Sequence, residues 1–394
     1  MTNTATERSR LEYSAYVTFA AGVALIQFNV RAEILLGLAA IQWAVVAWRE
    51  RRWPEAPAFF TPLLALAAVT LVSAAVSGDP LTSFARSRQL LLYLLVPMTL
   101  RIARGPRATR VLDAIIALGA AAAFVGIIQY LATTTLDELL NHRPHGLLNH
   151  YMTFSGVLML VTCAAVARLL YTEREWLWPA VAIPALLVAL AATLSRNVWV
   201  GTAVALAVLL ATRRRVLLLV LPLALVVGMA IAPASVRARL TSIFDPNEPS
   251  NRDRVAMLKA GAAMVKDHPL LGVGPNMVPR VYLQYRTADA YDSAGATAPE
   301  TRSHVHNVPM QLAAERGVIA LGCWLWFVVV AARELFTRMQ RGPARGLAAA
   351  GFAALVAMVA AGLFEHNFGD SEFLILMLVM LSLPFAAERS ETTA

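Results

Sequence analysis

From the amino terminus onward the chain is a succession of apolar runs separated by short polar joints. Such runs lie near 13–29, 32–48, 57–77, 88–103, 110–132, 148–171, 177–194, 197–212, 215–233, 307–331, 345–363 and 371–387. A helix needs about 20 apolar residues to cross a bilayer. In hydrocarbon a single segment can satisfy its own backbone polar groups only by being helical. The pattern therefore predicts an all-α polytopic membrane protein with about 12 transmembrane helices, the shorter runs leaving room for a tilted, re-entrant or merged segment. Nine spans fall within 1–233, a large loop occupies 234–306, and three more spans and a tail fill 307–394. The first run is not followed by a small-residue cleavage pattern and further runs succeed it, so no cleavable signal peptide is expected. No internal repeat is visible, which argues mildly against a transporter built from inverted repeats.

Composition agrees with the pattern. The chain is 58% hydrophobic and only 15% charged, against roughly 25% charged for a soluble domain. Cys163 and Cys323 both fall inside apolar runs; they read as small core residues and no disulfide framework is expected. A formal net charge of +9 is an excess of the kind that nucleic-acid binders carry. In a membrane protein it reflects basic cytoplasmic loops, and no nucleic acid is expected.

Those basic joints orient the chain. Arg8 and Arg10 precede the first run; Arg49, Arg51 and Arg52 follow the second; Arg101, Arg104, Arg107 and Arg110 surround the joint after the fourth. Arg213, Arg214 and Arg215 follow the eighth, and Arg333, Arg338, Arg341 and Arg345 the tenth. All fall on one side if both termini are cytoplasmic, as an even number of spans requires. The loop 234–306 then faces the periplasm. Within it Ser250 and Asn251 are cap candidates for a helix near 251–266, which Pro269 ends. Val255, Met257, Leu258, Ala262 and Val265 make that helix amphipathic, suited to the bilayer surface or to capping the bundle. "GVGP" at 272–275 reads as a turn, and the polar stretch from Asn276 to Ser303 as a loop.

The outer side, where arginine should be scarce, nevertheless carries Arg86, Arg88, Arg143, Arg196 and Arg254 at run ends or on the loop helix. Any one of them can snorkel to the boundary without a task. As a set they suggest a bound anion, because the guanidinium fork fits diphosphate with bidentate charge-assisted bonds. Histidine adds a second signal. The chain has seven histidines, and His304 and His306 stand just before the tenth run. Three readings remain open: structural residues at a helix start, a metal pair completed by Glu300, Glu365 or Asp370, or a general base, since neutral imidazole can take a proton near pH 7. Asn307 would then orient that base or touch substrate, and His150, in "RPHGLLNHYMTF", sits at the same level. "GLFEHNFGDSE" at 362–372 places Glu365 and Asp370 on this side too, as a solvated turn, as contacts to a sugar acceptor, or as an orienting carboxylate for His306.

At this point the sequence resembles a known family. "HNVPMQLAAERG" at 306–317 is similar to the signature of bacterial O-antigen ligases: His, then Asn, Ser or Gln, nine residues, then Gly-x-x-Gly. His306, Asn307 and Gly317 match, and Ala320 stands where the last glycine is expected. "SRNVWVG" and "RDRVAMLKAGAAMVKDHPLLGVG" also resemble the shared region of the O-antigen ligase and polymerase superfamily, the likeness being strongest over about 190–325. The resemblance implies a GT-C-like glycosyltransferase architecture in the bacterial inner membrane. It implies transfer of O-antigen polysaccharide from undecaprenyl diphosphate to a sugar hydroxyl of lipid A–core, on the periplasmic face and with inversion. His306 would be the base; Arg196 and Arg254 match the family's arginines best, with Arg143 and Arg286 weaker. No cofactor and no metal are expected, arginines supplying the positive charge. The rival readings are an O-antigen polymerase or a protein O-oligosaccharyltransferase with the same donor type and, in another class, a flippase for lipid-linked sugar. The last would need polar residues at mid-membrane depth, whereas here they cluster at one lip.

Overall fold

A computed structural model describes residues 2–28, 31–50, 56–133, 143–172, 177–286 and 304–389. Every regular element among them is helical. In chain order these are α1 (Thr2–Leu25), α2 (Ala32–Glu50), α3 (Phe60–Ala75), α4 (Pro80–Ser87), α5 (Leu95–Ile102), α6 (Pro106–Leu131), α7 (Tyr151–Tyr171), α8 (Leu177–Ala192), α9 (Arg196–Arg213), α10 (Val220–Ile231), α11 (Ala234–Thr241), α12 (Pro249–Asp267), α13 (Val278–Tyr285), α14 (Val308–Arg341), α15 (Arg345–Gly362) and α16 (Ser371–Ala387). A 3-10 stretch, Arg88–Leu94, leads into α5. Among the described residues six segments are long and apolar enough to cross a membrane: Arg10–Phe28, Ala32–Arg49, Pro106–Leu131, Tyr151–Tyr171, Val308–Arg341 and Arg345–Gly362. Shorter apolar helices at Phe60–Ala75, Trp178–Ala192 and Ser371–Ala387 run among them.

The bundle is built around α15. This helix packs against α7, α9, α14 and α16, and its sequence, with Ala at most positions from 348 to 361, lets neighbouring backbones come close. A methyl group on Gly201 of α9 would stand 2.8 Å from the carbonyl oxygen of Ala357. α7 and α16 are likewise mostly buried. Large apolar side chains are exposed farther out, among them Trp48, Val181 and Ile231, as expected where the surrounding solvent is lipid.

Polar contacts sort the helix ends into two sets, because charges are cheap only at the membrane boundary. At one end Arg101 pairs with Glu12, Arg168 with Asp113 and Arg338 with Glu388, and the backbone N–H of Phe59 donates to Glu334. At the other end Arg280 pairs with Asp79, Thr153 donates to Asp370, and His304 and His306 donate to Glu365. The arginine-rich joints lie at the first end and the histidines at the second, the separation that the arginine bias anticipates.

The segment after α10 is more ordered than its sequence suggests. α12 covers the expected 251–266, but its cap is Glu248 rather than Ser250 or Asn251: the Glu248 carboxylate accepts the N–H of Asn251 at 3.0 Å. Glutamate is not a preferred cap; here the carboxylate is already held in place by two arginines. The beginning of the stretch read as a loop is helix α13, with Val278 and Tyr282, one turn apart, both buried. They join Met257, Ala260, Met264, Val273 and Val305 in a small core of their own, so the segment is a folded cap on the bundle. Residues 287–303, including Glu300, lie outside the described part of the chain.

α14 also departs from the run expected at 307–331. It extends to Arg341 and is broken at Gly317, whose φ of 79° and ψ of 174° are not helical. The turn after α12 docks into this break. Val273 and Gly274 donate their N–H groups to the carbonyls of Ala314 and Glu315, and Val318 donates to the carbonyl of Pro269 at 2.8 Å. The break frees those backbone groups and the docked turn satisfies them. Residues 308–316 thereby bridge the two cores, Val308 and Leu312 packing in that of the bundle and Met310 and Ala314 in that of the cap.

Candidate active site

The site is assembled where α7, α9, the cap and the start of α14 meet. His306 is the residue before the cap of α14 and adopts a φ of +45°, a left-handed conformation that non-glycine residues hold only when the surroundings over-determine them. The surroundings are these. Asn307 caps the helix, its side-chain oxygen accepting the N–H of Met310 at 2.8 Å, while its amide nitrogen donates to the carbonyl of Leu363 at 2.8 Å. Gln311 accepts the N–H of Val305 at 2.8 Å. Asn307, singled out for orienting the base or touching substrate, spends both amide atoms on holding this backbone.

Glu365 is the anchor of the histidines. It lies in the joint between α15 and α16 and is buried. His306 Nδ1 stands 2.8 and 2.9 Å from its two oxygens. His304 Nε2 is 3.1 Å from Oε1, and the N–H of His366 donates to that oxygen at 2.9 Å. Burial pushes the Glu365 carboxyl up, but His306 and His304 pull it farther the other way, and it is held well below the usual carboxylate range. An ionised carboxylate only accepts. Both imidazole nitrogens that face it therefore carry hydrogen. In the neutral form of His306 this places the hydrogen on Nδ1 and the lone pair on Nε2.

His306 lines a cavity of about 460 Å³. Arg143, Arg196, Arg239 and Arg254 line the same cavity, against the carboxylates of Glu248 and Asp253, so its wall is electropositive. The arginines differ in what they already hold. Arg196, buried at the start of α9, donates to the carbonyl of Ser242 at 2.7 Å, to Glu248 at 3.1 Å and to the Ser250 hydroxyl at 2.5 Å. Arg239 donates to the other oxygen of Glu248 at 2.9 Å. Burial raises the Glu248 carboxyl, but the Ser250 hydroxyl and then the two guanidinium groups outweigh it, bringing it down to about 2. Arg143 stacks over Tyr151 at 4.7 Å, and the Nε atoms of Arg143 and Arg254 are buried with no partner among the described residues. Arginines that keep unused donors at a cavity wall can take an anion without first giving up a protein partner.

The other residues singled out in the sequence fall elsewhere. His150 caps α7, its Nδ1 accepting the N–H of Met152 at 3.2 Å. Asp370 caps α16 and accepts from the hydroxyl of Thr153 at 2.5 Å, tying α7 to α16. Arg286 follows α13, Arg88 opens the 3-10 stretch before α5, and Arg86 lines a separate small pocket with Arg316; none of the three lines the cavity of His306. Conversely, sequence reading passed over Arg239, Glu248 and Asp253. Arg239 sits on α11, in a stretch read as irregular, and nothing in "SVRARLT" distinguishes it from Arg237. Glu248 is the missing counter-ion of the arginine set, and only the fold brings it there.

His304, His306 and Glu365 offer ligand atoms all within 4.8 Å of one another, a spacing that could hold a metal ion. The residues also satisfy each other without one, since the carboxylate accepts a hydrogen from each ring.

Residues 180–325 match the protein family described as O-antigen ligase. The matched stretch takes in Arg196, Arg239, Glu248, Arg254, His306 and Gly317, and leaves out Arg143, Arg86 and Glu365. No curated protein matches the chain.

Proposed function

We propose that the protein, which matches the O-antigen ligase family over residues 180–325, transfers O-antigen polysaccharide from undecaprenyl diphosphate to a sugar hydroxyl of lipid A–core. The reaction takes place on the periplasmic face of the bacterial inner membrane, where a bundle of twelve traversals with GT-C-like architecture presents the cavity. The observation that carries this reading is the convergence of a tautomerically fixed histidine and four arginines on one cavity. A glycosyl diphosphate is already activated. It needs positive charge on the departing diphosphate and a base for the incoming hydroxyl.

In this reading Arg254 and Arg143 meet the diphosphate with their free donors, and Arg196 and Arg239 complete the cradle as Glu248 yields part of its hold. The acceptor oxygen forms a bond to the anomeric carbon as the bond from that carbon to the diphosphate breaks. The proton passes to Nε2 of His306, and undecaprenyl diphosphate leaves. A single displacement inverts the anomeric centre. Glu365 stabilises the imidazolium that forms, because it remains ionised and in contact with Nδ1–H.

The test is reconstitution with undecaprenyl-diphosphate glycan and lipid A–core. Glycan-bearing lipid A–core is the expected product. A lengthened lipid-linked glycan instead would mark a polymerase and overturn the acceptor assignment. His306→Ala should retain donor binding and lose transfer by about 10²- to 10⁴-fold; near-normal transfer by this variant would remove the base assignment.

A further inference from the structure

A second basic cluster lies outside the cavity of His306 and has no part in the steps above. Arg86, at the end of α4, and Arg316, the residue before the Gly317 break, line a pocket of about 20 Å³ with Gln89 and Tyr93. That volume admits one oxygen-sized group. Arg86 is exposed. Among the described residues the acid paired with Arg316 is Glu315, 3.8 Å away, beyond hydrogen-bonding distance. Glu315 itself is engaged in accepting the N–H of Asn276 at 2.8 Å. The Nε of Arg316 is buried with no partner among the described residues. So are Nδ1 of His366 and Nδ2 of Asn367, and Asn367 is only 6% exposed.

The pocket is joined to the site by a short row of rings. His306 and His304 are 4.3 Å apart, and His304 and His366 5.8 Å apart, between ring centroids. Gln89, on the pocket wall, donates to the carbonyl of Gly369 at 2.9 Å, which fixes the wall to the joint that bears Glu365. Burial, and then the positive charges of His304 and Arg316, hold His366 well below its ordinary value, so that ring stays neutral. A buried guanidinium donor left unpaired is costly, and a counter-anion from outside would relieve it.

Chemistry chooses between the two substrates. In an inverting displacement the incoming oxygen and the leaving group occupy opposite faces of the anomeric carbon. The four-arginine cavity, walled by α7, α9, α11 and α12, takes the leaving diphosphate, and the Arg86–Arg316 pocket, walled by α3, α4, the 3-10 stretch and α16, shares no residue with it. We propose that Arg86 and Arg316 form an anion subsite that holds a phosphate or carboxylate group of the acceptor saccharide, so that acceptor and donor reach His306 from separate pockets. This rests on the transfer reading given above and adds the acceptor's place to it.

The experiment uses the full chain in vesicles of neutral lipid, with lipid A–core bearing its phosphates, and again with lipid A–core from which the phosphates have been removed enzymatically. Arg86→Ala and Arg316→Lys are compared with the wild type at equal amounts of protein with unchanged melting; the lysine variant keeps the charge and the bulk should Arg316→Ala fail to fold. The expected result is a rise in acceptor KM of about tenfold or more for each variant, with donor KM unchanged. With the dephosphorylated acceptor the wild type and the variants should converge. An unchanged acceptor KM, a raised donor KM, or an equal loss with either acceptor overturns the subsite. A defect seen only in vesicles containing anionic lipid assigns the arginines to membrane headgroups and overturns it equally. Absence of any transfer to lipid A–core by the wild type would instead be a failure of the function proposed above, so the two outcomes are distinguishable.

Discussion

Glu365 does the most positional work of any single side chain in the site. One buried carboxylate accepts from two histidine rings and a backbone N–H, and in doing so decides which nitrogen of His306 is basic. Glu365→Gln keeps the shape, loses the charge and offers one acceptor oxygen instead of two. Transfer should fall by about 10²- to 10⁴-fold, with donor binding kept and partial recovery in Glu365→Asp; a rate within twofold of wild type would show that His306 needs no such partner. Glu248 makes the matching statement about the arginines. Its carboxyl is brought from an ordinary 4.5 to about 2 in the folded chain. An acid depressed in this way contributes stability that is present above the unfolded value and lost as pH falls toward the folded one. Melting of the protein in detergent should therefore be insensitive to this group above about pH 4.5 and decline as pH falls from there toward 2. Glu248→Gln should melt lower at neutral pH and lose part of that decline. An unaltered acid profile in the variant would mean that the Arg196–Glu248–Arg239 contact contributes nothing to holding the cap.

Among the elements, the broken helix α14 is the joint on which the site depends. Gly317 matches the glycine of the ligase signature, and its physical duty is plain: its φ is positive, and a methyl group there would sit 1.9 Å from the carbonyl oxygen of Leu270. Gly317→Ala should cost about 2–4 kcal/mol from left-handed backbone strain and overpacking, and should lower transfer by releasing the turn at 269–274. Gly322, on the same helix, has nothing within 4 Å of such a methyl, and Gly322→Ala should be close to neutral. Equal melting temperatures for the two variants would contradict the docking. Ala320, which stands where the last signature glycine is expected, is fully buried in the main core, where a small side chain fits and its φ is not positive.

At the scale of the whole molecule, the alternation of polar end contacts implies that Asn247 and Arg341, both exposed, face opposite compartments. Asn247→Cys should react with a membrane-impermeant thiol reagent from the periplasmic side and Arg341→Cys only from the cytoplasmic side; labelling of both from one side would overturn the proposed traversal. The dense arginine wall makes a further expectation concrete. On the proposed function the arginines supply the charge that a divalent ion would otherwise provide, so transfer should survive EDTA. Activity abolished by EDTA and restored by magnesium or manganese would reassign His304, His306 and Glu365 as metal ligands, a role their spacing permits.

Hydropathy by itself determined the class of the molecule, an all-helical chain with several helices apolar enough for a membrane, because burial in lipid is read directly from runs of apolar residues. Local pattern also located His306 and the helix α12, since caps, proline stops and short motifs act within a few residues. Tertiary structure decided the rest. The break at Gly317 depends on a turn more than forty residues earlier in the chain, α13 on a small core drawn from four separate segments, and the capping role of Glu248 on two arginines that approach it from α9 and α11. The division of the outer arginines into one group around the cavity of His306 and another outside it is also set by packing. Charge at a membrane lip looks alike wherever it occurs along a sequence, and only the fold assigns each guanidinium its partner.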